Sequence, residues 1–275
     1  MFQRQFSLQI LLTEQENKIS NTIHPTAIID KTSFIGKNVR IGPYSIIEKN
    51  VKIDDECIIG NNVTICANTE LGKNCKVYHS SSIGEIPQDL KFSGEETKTI
   101  VGDGTTIREY VTVNRGTKAL GQTKIGAGCL LMASSHVAHD CILGDNIIMS
   151  NLCTLGGHVE LGDWVVLGGG VLVHQFTKIG SHAFVGGGFR VVKDIPPFIL
   201  AAGEPLKFKG LNSVGLKRRG INSENIQQLK TIYKIYFRSG KNRSESLKEI
   251  ETNIIMSDVK NQVVDFISLS NRGII

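Results

Sequence analysis

Aromatic residues make up only 6% of this 275-residue chain, which points away from a core of interlocked rings and toward one of aliphatic stacks. Its six cysteines contain no Cys-x-x-Cys pair, so neither a zinc knuckle nor a dithiol redox motif is indicated. Cys57, Cys75, Cys129, Cys141 and Cys153 each fall four residues after an apolar position of a repeat, where other hexads carry Ala, Ser, Thr or Val. They read as small core or corner residues in a reducing, cytoplasmic compartment. No apolar run approaches the ~20 residues that a membrane-crossing helix requires, and membrane insertion is not expected. The stretch Phe6–Leu12, interrupted by Gln9, is a poor signal peptide. Residues 1–21 match nothing that follows and are expected to be a mobile extension or residues upstream of the natural start.

What is present in abundance is a period of six. From Ile23 the register passes through Ile29, Ile35, Ile41, Ile47, Ile53, Ile59, Ile65, Leu71, Val77 and Ile83. It returns at Val101, Ile107 and Val113, then runs from Ile125 to Val191. Of these 26 apolar positions, half are followed directly by glycine. Such a repeat is the mark of a hexapeptide-type parallel β-helix: three short strands close one coil of about 18 residues, and a side chain recurring every sixth residue points to the axis. Parallel-strand spacing of about 4.8 Å makes roughly eight or nine coils about 40 Å tall. The register fails at Asp89, Glu95 and Ala119, which predicts two extruded loops, near residues 84–100 and 114–124. The repeat is expected to span 22–195 and to stop at Pro196-Pro197, because two prolines cannot continue a backbone ladder.

Residues 18 apart should sit one above the other on successive coils. His139, Gly157 and Gln175 therefore form one predicted column, flanked by His158 and His174. An imidazole can take a proton from a hydroxyl nucleophile near neutral pH. A backbone N–H beside a glycine, with no side chain in the way, can hold the oxyanion of a tetrahedral intermediate. The column thus points to acyl-transfer chemistry, with His136 and Asp140 close by in sequence.

Beyond residue 196 the pattern turns helical. Ser223, Ser244 and Ser257 are predicted caps, with Ile226, Leu229, Ile232, Tyr233 and Tyr236 on the first apolar face and Val259, Val263, Phe266 and Ile267 on the last. Between Lys207 and Arg243 there are ten Lys or Arg and one acid, Glu224. A patch of that sign suits phosphates or an acidic protein partner. Without interleaved aromatics, nucleic acid is not expected.

Seven stretches carry a resemblance: Ile83-Gly84-Glu85 with Gln88-Asp89-Leu90-Lys91, Ile107-Arg108-Glu109, Arg115-Gly116-Thr117, His136-Val137-Ala138-His139-Asp140-Cys141, Gly156-Gly157-His158, Val173-His174-Gln175-Phe176 and Gly215-Leu216-Lys217-Arg218-Arg219. Over residues 22–275 the chain resembles the acyl-carrier-protein-dependent UDP-N-acetylglucosamine O-acyltransferases that begin lipid A biosynthesis. The resemblance implies a homotrimer of left-handed parallel β-helices, each followed by a small α-helical domain at 196–275. It also implies transfer of a (R)-3-hydroxyacyl chain from the phosphopantetheine of acyl carrier protein to the 3-hydroxyl of UDP-N-acetylglucosamine, with no metal and no cofactor of the protein's own. By position, His139 resembles the general base, Asp140 the group that orients it, and Gly157 the oxyanion donor. Asp89, Lys91, His136, His158, His174 and Gln175 resemble contacts to the sugar, diphosphate or acyl hydroxyl, and Asn212, Arg218 and Arg219 contacts to the nucleotide. Gly187 resembles the acyl-chain pocket, and the basic C-terminal face the dock for the carrier protein. The chain departs from the pattern at Glu204-Pro205, where many relatives carry Asn-His, at Val214, where they carry an acid, and at Phe189 and Arg190, where small residues are common.

Three rival readings share parts of this pattern. An N-acyltransferase acting on a UDP-sugar amine usually carries an additional N-terminal uridine-binding domain. A γ-type carbonic anhydrase would bind zinc, with His136, His139 and His158 as candidate ligands. A non-catalytic scaffold leaves the histidine cluster unexplained.

Overall fold

The computed structural model describes residues 21–275, so the expectation for the first residues of the chain lies outside the described residues. From Thr22 onward the chain makes two-residue strands in six-residue steps, and every third strand pairs in parallel. Three sheets of 11, 9 and 8 strands result, wound as a left-handed parallel β-helix. In the two-residue strands the second residue is the register residue, and from Ile41 to Val191 every register position is buried. Only the open first coil departs: Ile23 is exposed, while Ile29 and Ile35 are half-buried.

The coil turns at three corners, where one residue adopts left-handed backbone. Asn38, Asn50, Asn62, Asn68, Asn74 and Asn146 have φ between 55° and 61°, a conformation that asparagine tolerates better than most residues. Asp140, His158 and Phe176, spaced by 18, hold the same conformation at φ 58°, 60° and 62°. They lie at the corner between the 9-stranded and 8-stranded sheets. Both extruded loops leave at that corner, on the two coils just before His136. They are shorter than expected, because the ladder reaches into them: strands cover Ser82–Glu85 and Lys98–Val101 around the first loop, and Thr112–Asn114 and Gln122–Ile125 around the second.

The ladder does not stop at Pro196-Pro197. Ile199–Ala202 pairs in parallel with Phe184–Val185, then turns back antiparallel with Lys207–Leu211. The prolines occupy a corner, where no ladder donor is lost. Four helices follow: α1 (Ser213–Arg218), α2 (Ser223–Arg238), α3 (Arg243–Asn253) and α4 (Asp258–Leu269). Ser257 caps α4 as expected, but α2 and α3 are capped by Asn222 and Asn242, not by Ser223 and Ser244. Glu245, three residues after Asn242, completes a capping box there. Helix α2 buries Leu229, Ile232 and Tyr233, and the Tyr233 hydroxyl donates to the Pro197 carbonyl at 2.6 Å. That bond fixes the helices against the last coil. No helix among the described residues is long and apolar enough to cross a membrane.

Candidate active site

His139 and Asp140 occupy adjacent positions of one corner, and His139 Nδ1 lies 2.8 Å from Asp140 Oδ2. Asp140 is fully buried. Its Oδ1 accepts from the N–H groups of Thr117 at 3.0 Å and Leu120 at 3.2 Å, and its Oδ2 from the Thr117 hydroxyl at 2.7 Å. Burial alone would raise the pKa of this carboxyl, but the hydrogen bonds from His139 and Thr117 outweigh it and hold the group below the usual carboxylate range. An ionised carboxylate facing Nδ1 fixes the proton there, so Nε2 of the neutral ring carries a free lone pair.

That nitrogen faces Gly157 on the next coil. A Cβ at Gly157 would sit 2.7 Å from His139 Nε2 and 2.6 Å from Cε1, so only glycine lets the ring rest against the backbone. Among the described residues the Gly157 N–H finds no acceptor. At another corner the equivalent N–H groups of Ala127 and Asp145 are each capped by an aspartate of the following coil, at 2.8 Å. His158 stacks on Phe176 with centroids 4.4 Å apart, meets His139 edge-on at 5.2 Å, and places Nε2 3.6 Å from Asp140 Oδ2. Its burial lowers its pKa, against the opposing pull of Asp140.

The two loops and this corner enclose a cavity of about 680 Å³. Asp89, Lys91, His139, His158 and Gln175 all line it, with Asp140 and Gly157 beneath. The other predicted site residues are not brought here within one chain. His136 points out of the 9-stranded sheet, its Nδ1 2.8 Å from the Thr112 hydroxyl; burial first and the nearby His139 second lower its pKa. His174 is exposed, its Nδ1 3.0 Å from the Gln175 carbonyl and 3.2 Å from Arg272 Nη2. Gly187 lies exposed at the corner between the 11- and 9-stranded sheets, stacked over Gly169. There the Phe189 ring lies over Gly186, and exposed Arg190 reaches toward Glu204.

Asn212, Arg218 and Arg219 line a second cavity of about 660 Å³ at the remaining corner, together with Val214. The Asn212 amide is committed internally: its oxygen caps α1 by accepting from Gly215 N–H, and its Nδ2 donates to the His182 carbonyl at 2.9 Å. Sequence reasoning missed Trp164 and His182, which line this cavity, although the same 18-residue spacing relates them. His182 stacks between Trp164 and Phe198, with the Arg219 guanidinium 5.1 Å from the Trp164 ring centroid.

Burial and the charge of Arg219 push the His182 pKa down to about 4, against Asp163. An unfolded chain would bind that proton from about pH 6.5 downward. The stability that neutral His182 contributes is therefore full above pH 6.5 and is lost as pH falls toward 4. Between pH 7 and 4.5 the melting temperature of the wild type should fall more than that of His182→Phe, and parallel curves would contradict this.

The repeat, the loops and the corner dyad together define a hexapeptide-repeat transferase, and residues 32–67 match the family model described as bacterial transferase hexapeptide (six repeats). Residues 194–275 match the model of UDP-N-acetylglucosamine O-acyltransferase, domain 2. The acyl-[acyl-carrier-protein]–UDP-N-acetylglucosamine O-acyltransferase of Thiobacillus denitrificans is 42% identical over 92% of this chain and 99% of its own length. The Myxococcus xanthus protein of the same name is 43% identical over 92% and 98%. The crystal structure of the Bacteroides fragilis UDP-N-acetylglucosamine acyltransferase superposes with a TM-score of 0.91 at 41% identity, over 92% of this chain and all of that one. The chain belongs to the acyl-[acyl-carrier-protein]–UDP-N-acetylglucosamine O-acyltransferase family and is an O-acyltransferase.

Proposed function

We propose that this enzyme transfers a (R)-3-hydroxyacyl chain from the phosphopantetheine thioester of acyl carrier protein to the 3-hydroxyl of UDP-N-acetylglucosamine, the first step of lipid A biosynthesis, in the cytoplasm. The observation that carries the reading is the His139–Asp140 pair, with Nε2 free and turned to Gly157. His139 Nε2 takes the proton of the sugar hydroxyl as the oxygen attacks the thioester carbonyl. The Gly157 N–H donates to the resulting oxyanion. Collapse breaks the carbon–sulfur bond, and the thiolate leaves with the proton held by His139. The products are the sugar ester and the free thiol of the carrier.

Asp89, Lys91, His158 and Gln175 contact the sugar, diphosphate or acyl hydroxyl at the cleft, joined by His136 and His174. Arg218 and Arg219 hold the nucleotide, and Gly187 lies at the acyl chain. These groups stand at three different corners of one chain, so copies associate as a homotrimer whose clefts combine them. The acidic carrier protein docks on the basic face around α1 and α2.

His139, Asp140 and His158 bring ligand atoms within 4.8 Å of one another, the kind of cluster that a zinc hydratase uses. The Asp140 oxygens, however, already accept four hydrogen bonds, and His136, the third ligand of that reading, faces Thr112. We therefore assign no metal.

The deciding experiment offers UDP-N-acetylglucosamine with a panel of 3-hydroxyacyl and plain acyl chains on acyl carrier protein, with the zinc content of the enzyme measured alongside. Transfer of one 3-hydroxyacyl length, unaffected by chelator, supports the reading. No transfer of any chain, or stoichiometric zinc whose removal ends activity, overturns it. Arg218→Ala should raise the KM for the UDP-sugar by about 10- to 100-fold, the worth of a charged hydrogen bond, while kcat stays within about threefold. Equal loss in both constants would remove Arg218 from the nucleotide.

A further inference from the structure

Two separate sets of hydrogen bonds converge on one short turn at the start of the second loop. The first set reaches the base. Thr117, 7% exposed, gives Asp140 both its N–H at 3.0 Å and its hydroxyl at 2.7 Å, and Asp140 in turn holds His139 Nδ1. The second set reaches the first loop. Arg115 Nε donates to the Gly84 carbonyl at 2.8 Å, the Arg115 N–H to the Glu85 carbonyl at 2.9 Å, and Asn114 Nδ2 to the Ile86 carbonyl at 3.0 Å. Three consecutive carbonyls at the root of the loop that carries Asp89 and Lys91 are thereby fixed.

The turn is itself immobilised. The Thr97 hydroxyl donates to the Gly116 carbonyl at 2.5 Å. A Cβ at Gly116 would lie 2.2 Å from the Gln122 nitrogen, so the backbone here is pressed flat against the next strand. The two sets leave this segment through different groups, Thr117 toward the base and Asn114 and Arg115 toward the loop.

We propose that the turn Asn114–Thr117 is a positioning element that registers the base against the substrate loop. Thr117 acts through Asp140 on His139, and Arg115 acts through the backbone at 84–86 on Asp89 and Lys91. This assignment rests on the reading above, and it adds two residues that act through others: Thr117 borders the cavity but directs its N–H and hydroxyl to Asp140, and Arg115 lies outside the lining. Both carboxylate oxygens of Asp140 are aimed by donors from one loop, so the plane of the His139 ring is set outside its own coil. A displacement of about 1 Å in such a ring costs on the order of 10²-fold in rate.

The test compares Thr117→Val, Thr117→Ser and Arg115→Met with wild type and His139→Ala. Thr117→Val should lower kcat by about 10- to 100-fold with the KM for the UDP-sugar within about threefold, and Thr117→Ser should restore most of it. Arg115→Met should raise that KM by about 10-fold and leave kcat within about threefold. Two readouts need no turnover. The His139 Nδ1–H proton resonance should shift in Thr117→Val and stay in Arg115→Met. Hydrogen exchange over residues 86–97 should quicken in Arg115→Met and not in Thr117→Val.

If His139→Ala is inactive while Thr117→Val keeps wild-type kcat and an unmoved Nδ1–H resonance, the positioning role is wrong and the reaction assignment stands. If the wild type transfers no acyl chain, the reaction assignment fails, and the resonance and exchange data still decide whether the turn links ring and loop. Variants in which both readouts move together mark a loss of general structure and overturn the division of roles.

Discussion

His139→Ala should lower kcat for acyl transfer by about 10³-fold or more while the melting temperature stays within a few degrees of wild type. A positioned general base contributes about 10² to 10⁴ in rate, and no neighbouring group can take over. His158 Nε2 is turned to Asp140 at 3.6 Å and its ring is stacked on Phe176, and His136 is turned to Thr112. The fold loses little. The His139 side chain lies at the wall of an open cavity, and after its removal Asp140 still accepts three hydrogen bonds from Thr117 and Leu120. Acyl-transfer kinetics with a thermal melt check both halves. Retention of more than a tenth of wild-type turnover would remove His139 from the role of base.

Asp140→Asn is the second large effect, and it works through a proton rather than through a lost contact. Two N–H donors point at Oδ1, so the amide carbonyl of the variant must lie there. Its NH₂ then stands where Oδ2 stood, facing the Thr117 hydroxyl and His139 Nδ1. The hydroxyl can rotate to accept, but the imidazole can accept only by moving its proton to Nε2. The base is then in the wrong tautomer, and kcat should fall by about 10²- to 10⁴-fold with KM little changed.

The same variant changes the pH dependence of stability in a direction fixed by the sign of the shift. The Asp140 pKa is lowered in the folded state. The stability it contributes is therefore full above the ordinary carboxylate value and is lost as pH falls through the folded one. Asp140→Asn lacks that component, so its melting temperature should fall less steeply than wild type below about pH 4. A variant with unaltered kcat would show that the pair does not set the tautomer.

The coil, its register and the His139–Gly157–Gln175 column were legible in the sequence, because stacking by 18 is imposed by the geometry of the coil itself. The same arithmetic contains Trp164 above His182, and it went unread because the column was counted from His139 alone. The hydrogen bonds of Thr117 to Asp140 were hidden for a physical reason: the loop that carries Thr117 breaks the period, so no fixed spacing relates the two. Arg272 beside His174 was hidden in the same way, at a sequence separation of 98. The strand at Ile199–Ala202 went unread because Pro196-Pro197 breaks the spacing before it without breaking the sheet. The choice of Asn over Ser as the cap of α3 was available through Glu245, since a cap pairs with an acid at its third helical residue.

The left-handed corner that seats Asp140, His158 and Phe176 also seats Asn50 and Asn68 near the other end of the coil, where Asn50 Nδ2 meets Asn68 Oδ1 at 3.3 Å. Aspartate and histidine share asparagine's tolerance for that backbone, and neighbouring coils contact one another only through their shared face. One nucleotide change turns an asparagine codon into either residue. The N-terminal rungs therefore hold seats that accept counterparts of Asp140 and His158 with no change of backbone.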